Sequence, residues 1–307
     1  MQSVAVLFGV TVLVFILAHV VPGGAARAAL GSRATPGQIA SFNHLNGYDL
    51  PIWDQVYRYF KGLILHFNLG YSYKMNQPVR DLILARLPET LVLVGISTLF
   101  ALVVAVPLGV LQVLRRNKPI DYVLTGLSFV FYAMPAFLLG TLLILYFAID
   151  LHWFSTQAPS QTTVGGILSH PREIVLPILT LAAITIASFS RYMRSSLMEA
   201  MAEDYVRTAR AKGAGPGRAL LLHALRNALI PIITLLGLSL PGIVGGAIIT
   251  ETLFNWQGMG LLTVNAALNN DVPLLLGTTL VIAIATVLGS LLADLLYAVV
   301  DPRVRYV

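Results

Sequence analysis

Residues 204–231 read DYVRTARAKGAGPGRALLLHALRNALIP, a basic segment that lies between two apolar runs of membrane-spanning length. We predict a short helix from Asp204 to Lys212, because Asp204 can cap its N-terminus and the basic residues of its last turn complement the helix dipole. Glu203 stands four residues before Arg207, the favourable order for an ion pair along a helix. The segment therefore begins with one compact, strongly charged helix.

Glycine and proline shape the chain after that helix. Gly213 and Gly215 end it, and Pro216 suits the first turn of a second helix that leads into the next apolar run. A helix, a sharp turn and a second helix form a protrusion that can dock into a groove of a partner. A basic loop that lies on anionic lipid is the alternative, but such a loop needs no shaping by glycine and proline.

The composition indicates an integral membrane protein. Of the 307 residues, 57% are apolar and 11% are charged, whereas a soluble domain carries about a quarter charged residues. Lys and Arg number 20 against 14 Asp and Glu, an excess that membrane proteins place in cytoplasmic loops, so nucleic acid is not predicted as a partner. The absence of cysteine excludes disulfides, thiolate nucleophiles and cysteine-based metal centres.

Six apolar runs are long enough to cross a bilayer as helices, which takes about 20 residues each. The sequence therefore predicts an all-α, polytopic membrane protein with a single transmembrane domain. The predicted spans are 4–21, 87–114, 122–149, 174–197, 225–250 and 274–300, with a long first loop over 23–86 and the basic loop over 199–224. Within the first loop, apolar residues at helical spacing predict an amphipathic helix from Pro51 to Phe67.

The first run, 4–21, has two interpretations. The small residues from Pro22 to Ala26 resemble a signal-peptide cleavage site, but no basic region precedes the run, so we predict a retained span. We also expect that a short basic leader is missing before residue 1.

The distribution of Lys and Arg predicts the orientation of the chain. Six spans place both termini on one side, where the basic residues are Arg115, Arg116 and Lys118, seven residues from Arg191 to Arg226, then Arg303 and Arg305. The short loops on the other side contain one basic residue, Arg172. The basic residues of the long first loop have little weight, because the orientation rule applies mainly to short loops. Both termini and the basic loop are therefore predicted to be cytoplasmic.

The basic loop resembles the cytoplasmic "EAA" loop of ATP-binding-cassette importer permeases. The resemblance rests on two runs, Asp204 to Gly213 and His223 to Pro231, and it is strongest to the dipeptide, oligopeptide and nickel branch. Ala209 and Gly213 keep the general pattern, whereas Arg207 replaces its Glu, which is the usual form in the peptide branch.

Other stretches resemble the same branch and extend the resemblance over nearly the whole chain. They are Asp49 to Pro51, Gly70 to Ser72, Arg86 to Leu91, Gly246 to Phe254 with Gly258 to Gly260, and Asp294 to Tyr297 with Asp301 to Tyr306. The resemblance is specific for the family rather than for the substrate.

The resemblance implies a type I ABC importer permease fold in a bacterial or archaeal cell membrane. The partners that it implies are a homologous second permease, two ATP-binding ATPase subunits or domains, an extracytoplasmic substrate-binding protein and membrane lipid. The basic loop would be the coupling loop that carries ATP-driven motion into the spans. Its contacts with the ATPase would be Asp204, Tyr205, Val206, Arg207, Thr208, Ala209, Arg210, Ala211, Lys212 and Gly213.

Catalytic chemistry is not predicted for this chain. A phosphate-binding loop needs Gly, four residues, then Gly-Lys and Ser or Thr, and the nearest run, Gly213 to Arg218, lacks that ending. None of the six histidines has a second histidine three or four residues away, so no helical metal pair is predicted. We expect no catalytic residue, metal or cofactor on this chain, with ATP and magnesium bound by the partner ATPase subunits.

Two features of the spans are candidates for the transport pathway. Pro241, Gly242, Gly245 and Gly246 free backbone groups and permit close helix approach, although ordinary helix packing explains them equally well. Asp294 is a carboxylate well inside an apolar run and hence a functional candidate, although its position near the helix end favours snorkelling or pairing with an arginine.

These observations predict the permease subunit of an ATP-driven importer of dipeptides or oligopeptides that works by alternating access. An importer of nickel or haem from the same family stays open as an alternative. An ion-coupled secondary transporter is a second alternative, which a functional Asp294 would favour. An intramembrane enzyme or scaffold is a third, but no paired catalytic residues lie within the predicted spans.

Overall fold

The structure of the chain is a computed structural model that describes residues 2–20, 24–31, 33–161, 163–245 and 247–300. The described residues form helices and their connections, with one two-stranded hairpin in the first loop. The helices are α1 Gln2–Val20, α2 Gly24–Leu30, α3 Pro36–Asn46, α4 Ile52–His66, α5 Val79–Leu114, α6 Pro119–Ala133, α7 Ala136–Leu143, α8 Val164–Leu168, α9 Pro171–Ala202, α10 Asp204–Ala211, α11 Pro216–Ala219, α12 Leu225–Ala228, α13 Ile230–Gly245, α14 Ile248–Leu253, α15 Met259–Leu268 and α16 Val272–Val300.

Two π-helical segments and the hairpin complete the architecture. Ile144–Asp150 continues α7, and Leu220–Ala224 joins α11 to α12. Strands β1 Tyr71–Ser72 and β2 Gln77–Pro78 are antiparallel, with Tyr71 opposite Pro78.

Four helical runs of the described chain are long and apolar enough to cross a membrane. They are Val79–Leu114, Pro171–Ala202, Pro216–Ser239 and Val272–Leu292. The pair α6 and α7, with the π-helical turn that continues α7, makes a fifth if it is counted as one broken span. The apolar part of α1 for which side chains are described, Leu7–Ile16, is shorter than a span.

The predicted third span, 122–149, is broken rather than continuous. α6 ends at Ala133, α7 begins at Ala136, and the two helices meet at 105°. Pro135 explains the break, because a proline ring disfavours helical geometry in the residue before it. Met134 accordingly has extended geometry, with φ −76° and ψ 127°.

Other helix boundaries also differ from those predicted. α5 begins at Val79 rather than at residue 87, because its first turns carry charged residues that hide the helix from a hydropathy pattern. Val79, Leu82 and Ile83 are buried there against Met259 and Leu262 of α15. The fifth predicted span ends at Gly245, and the residues after Ala247 form the separate helix α14.

The amphipathic helix predicted in the first loop is confirmed as α4. Val56 is buried in a cluster with Val14 of α1 and Val272 of α16, which holds α4 against the helical body. Trp53 and Tyr57 belong to the apolar residues at helical spacing that predicted this helix, and both are more than 60% exposed. The rest of this chain therefore covers only part of the apolar face of α4.

The most extensive helix packing in the described part of the chain joins α5 to α9. Buried small residues, among them Ala101 and Ala105, allow the two helices to approach. At Gly109 an added Cβ would lie 2.7 Å from Cβ of Met193 and 3.2 Å from the backbone nitrogen of Arg194. α9 is therefore fixed against α5 shortly before it reaches the basic loop.

We expect Gly109→Val to destabilise the fold by about 1–3 kcal/mol, because the added side chain forces α5 away from α9. Gly95→Val is the matched control, since Gly95 lies in the same helix with nothing within 4 Å of an added Cβ. The midpoint of thermal unfolding in detergent measures both. Equal midpoints for the two variants would contradict the proposed close contact.

Candidate functional site: the basic loop

The basic loop leaves α9 through one extended residue. Glu203 has φ −70° and ψ 151°, which ends α9 and places Glu203 at the N-cap position of α10 without a capping hydrogen bond from its side chain. Asp204 is thus the first helical residue, and the prediction that it caps the helix was wrong. Its Oδ1 instead accepts a hydrogen bond from Nη1 of Arg207 at 3.3 Å, so Asp204 takes the ion pair predicted for Glu203.

The turn after α10 has the predicted chemistry. Gly213 has φ +92°, a left-handed conformation that strains any residue with a Cβ. Its N–H donates to the carbonyl of Arg210 at 2.9 Å, and the N–H of Ala214 donates to the carbonyl of Ala209 at 3.1 Å, which closes the helix end. Pro216 stands in the first turn of α11, as predicted.

One apolar residue anchors α10 to the rest of the chain. Val206 is fully buried in a cluster with Leu197 and Ala200 of α9 and with Leu220 and Ala224 of the π-helical segment. Val206 was predicted to contact an outside ATPase, but its side chain lies on the face of α10 that packs against its own chain. Ala105 of α5 and Ile232 of α13 belong to the same cluster. This cluster therefore links α10 to three longer helices, α5, α9 and α13.

The opposite face of α10 is exposed and positively charged. Its exposed residues are Asp204, Tyr205, Arg207, Thr208, Arg210, Ala211, Lys212 and Gly213, while Ala209 is half-buried. Asp204 neutralises Arg207, but no carboxylate of the described chain forms an ion pair with Arg210 or Lys212. The loop therefore presents a short cationic surface on a helix that Val206 anchors to the rest of the chain.

A buried junction, which sequence reasoning missed, joins α5 to α14 and α15. The carboxylate of Glu251 is fully buried and accepts hydrogen bonds from the N–H of Leu261 at 2.8 Å and from Oγ1 of Thr90 at 3.2 Å. Oγ1 of Thr90 in turn accepts from the N–H of Met259 at 2.7 Å. Burial raises the pKa of the Glu251 carboxyl, while its hydrogen bonds oppose that rise.

Glycine makes this Glu251 junction possible. A Cβ at Gly258 would collide with Oγ1 of Thr90, and one at Gly260 would lie 2.9 Å from Oε2 of Glu251. Nε1 of Trp256 donates to the carbonyl of Glu89 at 3.0 Å, which adds a hydrogen bond between α5 and the turn that joins α14 to α15. The signal in the sequence was a glutamate with closely spaced glycines after it, but its partner Thr90 lies 161 positions away.

A second polar contact ties α6 to α9. Arg194 donates from Nε to Oδ1 and from Nη2 to Oδ2 of Asp121, both at 3.0 Å, which is the bidentate geometry of a strong ion pair. The N–H of Asn117 and the hydroxyl of Thr125 also hydrogen-bond this carboxylate. In the sequence, Arg194 was only one of the basic residues whose number predicts the orientation of the chain in the membrane.

The predicted pathway residues lie at the edge of what the structure describes. Pro241, Gly242 and Gly245 are in α13 and Asp294 is in α16, but their side-chain surroundings are outside the described part of the chain, and Gly246 is outside it altogether. In the described part, no cluster of three or more His, Asp or Glu could hold a metal ion.

Several long apolar helices, with an exposed cationic helix between two of them, define a multi-pass membrane protein. The chain belongs to the family described as "Binding-protein-dependent transport system inner membrane component", whose sequence model matches residues 97–306. A companion model for the N-terminal part of such membrane components matches residues 1–94.

Curated relatives of similar length carry peptide-transport names. The chain is 36% identical to the oligopeptide transport system permease protein AppB of Bacillus subtilis, over 100% of this chain and 97% of the relative. It is 34% identical to the dipeptide transport system permease protein DppB of Escherichia coli K12, over 97% and 94%. It is also 37% identical to a putative peptide permease protein of Brucella suis, over 99% and 96%.

We expect Thr90→Val to destabilise the fold by about 1–3 kcal/mol, because it leaves the Met259 amide and one Glu251 hydrogen bond without a partner. Thr286→Val is the matched control, since the exposed Thr286 hydroxyl bonds only to the carbonyl of Ile282 in its own helix. Thermal unfolding in detergent compares the two variants. A shift of equal size in both would show that the Glu251 junction adds no stability.

We expect Val206→Asp to release α10 from the chain, because a buried carboxylate without a partner costs several kcal/mol. Amide hydrogen exchange of residues 204–211 should then be at least about tenfold faster than in the wild type. Thr208→Asp places the same side chain on the exposed face of α10 and should leave exchange unchanged. Unchanged protection in Val206→Asp would rule out the anchoring role.

Proposed function

We propose that this chain is a permease subunit of an ATP-driven importer of dipeptides or oligopeptides. The observation that carries the proposal is α10, whose cationic face is exposed while Val206 holds its other face in the apolar cluster of the long helices. Membership of the binding-protein-dependent family supports import, and the names of the oligopeptide and dipeptide relatives support peptides as the substrate.

The proposed topology has six spans with both termini in the cytoplasm, in a bacterial or archaeal cell membrane. This topology would use the four long runs, the broken pair α6 and α7 as one span, and α1 as the sixth. The excess of basic residues around α10 supports the placement of this loop in the cytoplasm.

The proposed assembly divides the work among several chains. A homologous second permease would share the pathway, an extracytoplasmic binding protein would deliver substrate, and two ATPase subunits would bind ATP and magnesium. This chain would be non-catalytic, in agreement with the absence of a phosphate-binding loop ending after Gly213. The membrane component named by the family fits this division.

In the proposed mechanism α10 acts as the coupling helix. Closure of the ATPases on nucleotide would displace α10, with Arg210 and Lys212 attracted to acidic residues of the ATPase groove. The buried Val206 would pass that displacement to α9, and through the same cluster to α5 and α13. The two permeases would then alternate between an outward-open and an inward-open pathway.

The test is co-purification of the chain with its ATPase subunits and measurement of binding-protein-stimulated ATP hydrolysis. We expect Gly213→Val to lower ATPase retention or stimulated hydrolysis at least about tenfold, because a β-branched residue cannot adopt φ +92° without strain. Arg207→Glu should weaken the same contact by reversing a charge on the exposed face of α10.

Two matched controls separate the docking surface from general damage. Gly215→Val introduces the same side chain two residues later, at φ −64° and with nothing within 4 Å of an added Cβ. Arg80→Glu reverses an exposed charge at the far end of α5. Failure of the wild type to recover an ATPase, or equal coupling in Gly213→Val and Gly215→Val, would overturn the proposed function.

A further inference from the structure

A cleft between α6 and α9 contains an arginine, Arg191, that forms no ion pair with a carboxylate of the described chain, although Glu199 also lines the cleft. The cleft has a volume of about 350 Å³, and Gln112, Phe129, Arg191 and Ser195 are among its lining residues. A neighbouring cavity of about 280 Å³ shares Arg191 and Ser195 and adds Tyr132. The larger of the two is within the range of small-ligand sites, which is roughly 300–1,000 Å³.

Two aromatic rings hold the guanidinium of Arg191. Its central carbon lies 4.6 Å from the ring centroid of Phe129 and 4.6 Å from that of Tyr132. Rings stabilise the cation through their faces but do not remove its charge, and they are poor acceptors for its five N–H donors. Arg194, one turn further along α9, is by contrast paired with Asp121. Arg191 is therefore the cation that can receive an anion.

The direction of the Arg191 side chain indicates what kind of anion it meets. α6 and α9 run antiparallel, as the pairs Asp121 with Arg194 and Ser128 with Ser190 show. Phe129 lies beyond Asp121 along α6, so Arg191 reaches toward the start of α9 and away from the basic loop. An arginine that faces lipid snorkels toward the headgroups at the nearer, basic end. Arg191 extends the other way, toward Phe129 and Tyr132 at the cleft.

An orphaned acceptor marks the same wall. Gln112 is 1% exposed, its Nε2 donates to Oγ1 of Thr125 at 3.2 Å, and its Oε1 has no hydrogen-bond partner. A buried acceptor without a partner costs free energy that a bound donor recovers. The hydroxyl of Ser195, which donates to Glu199 at 3.2 Å, adds another polar group at the cleft.

We propose that the cleft is a substrate subsite, in which Arg191 binds the free terminal carboxylate of the transported peptide. A guanidinium can form two parallel hydrogen bonds to a carboxylate, and the rings of Phe129 and Tyr132 orient it for that contact. The inference rests on the proposed function, because it assigns part of the pathway of a peptide importer. A lipid phosphate is the competing oxyanion.

The first experiment uses the absence of cysteine from this chain. Ser195→Cys gives the chain a single thiol beside Arg191, and N-ethylmaleimide alkylation of that thiol is monitored by intact mass in the nucleotide-free importer complex. The probes are dialanine and tetraalanine, each with a free or an amidated C-terminus. We expect the free acids to slow alkylation at least about threefold and the amides to have no effect, because an amide loses the charge-assisted hydrogen bonds.

Second substitutions in the Ser195→Cys chain identify the group responsible. Arg191→Gln should abolish protection by the free acids, and Phe129→Leu should weaken it because one of the two rings is lost. Arg172→Gln, which removes an exposed arginine at the other end of α9, should keep full protection. Only complexes that retain binding-protein-stimulated ATP hydrolysis are compared, so a folding defect is not mistaken for lost binding.

Lipid composition separates the two oxyanions. If vesicles of phosphatidylglycerol or of phosphatidylcholine protect the thiol without peptide, relative to the complex in dodecyl maltoside, whose headgroup carries no phosphate, the cleft binds a lipid headgroup and the inference is overturned. Equal alkylation in both lipids and in the phosphate-free detergent, together with protection by the free-acid peptides, supports it.

Transport provides the second readout. Arg191→Gln should lower uptake of the free-acid peptides about tenfold in proteoliposomes, whereas Arg172→Gln should keep both uptake and stimulated ATP hydrolysis within about twofold of the wild type. If a coupled complex imports these peptides, while Arg191→Gln imports them equally well and the thiol is not protected, the inference fails and the importer assignment stands. If the wild-type complex neither couples nor imports, the proposed function fails, and the inference fails with it.

Discussion

The close approach of α5 to α9 constrains the rest of the molecule. At Gly109 the two backbones leave no room for a Cβ, because Met193 and the backbone of Arg194 occupy that space. Lipid is as apolar as the side chains that it surrounds, so membrane helices associate through close packing and polar contacts rather than through the hydrophobic effect. The part of α9 that packs against α5 carries Arg191 and Arg194. From there α9 continues as an unbroken helix to Ala202, just before α10 begins.

Buried charges attach α6 and the α14–α15 segment to this pair, whereas α10 is attached differently. Asp121 binds α6 to Arg194, and Glu251 binds the α14–α15 segment to Thr90 of α5, each with the hydrogen bonds that a buried carboxylate requires. α10 depends on the burial of Val206 and on the turn at Gly213. Apolar contacts tolerate small displacements better than directional hydrogen bonds do, which suits an element proposed to transmit motion.

The sequence predicted features that arise from local chemistry. α5, α9 and α16 are explained by apolar length, and the turn at Gly213 is explained by the one residue type that adopts positive φ without strain. Pro135 could be seen in the sequence, but a proline in a span can kink a helix or break it. The 105° break also involves packing in the fold, where Gly140 of α7 lies against Leu253 of α14. Such contacts between distant segments cannot be read from periodicity in one sequence.

The same limit applies to charge. The orientation rule counts Arg191 and Arg194 as equal contributions, because it depends only on the number of cations near the membrane. Their surroundings differ in the fold: Arg194 lies against a carboxylate, and Arg191 lies against two rings. A neutralised guanidinium fixes structure, whereas one that keeps its charge and its N–H donors can bind an anion. The proposed anion site therefore depends on which of these two cations the fold leaves without a counter-charge, and that depends on the partner helix, α6, rather than on α9 itself.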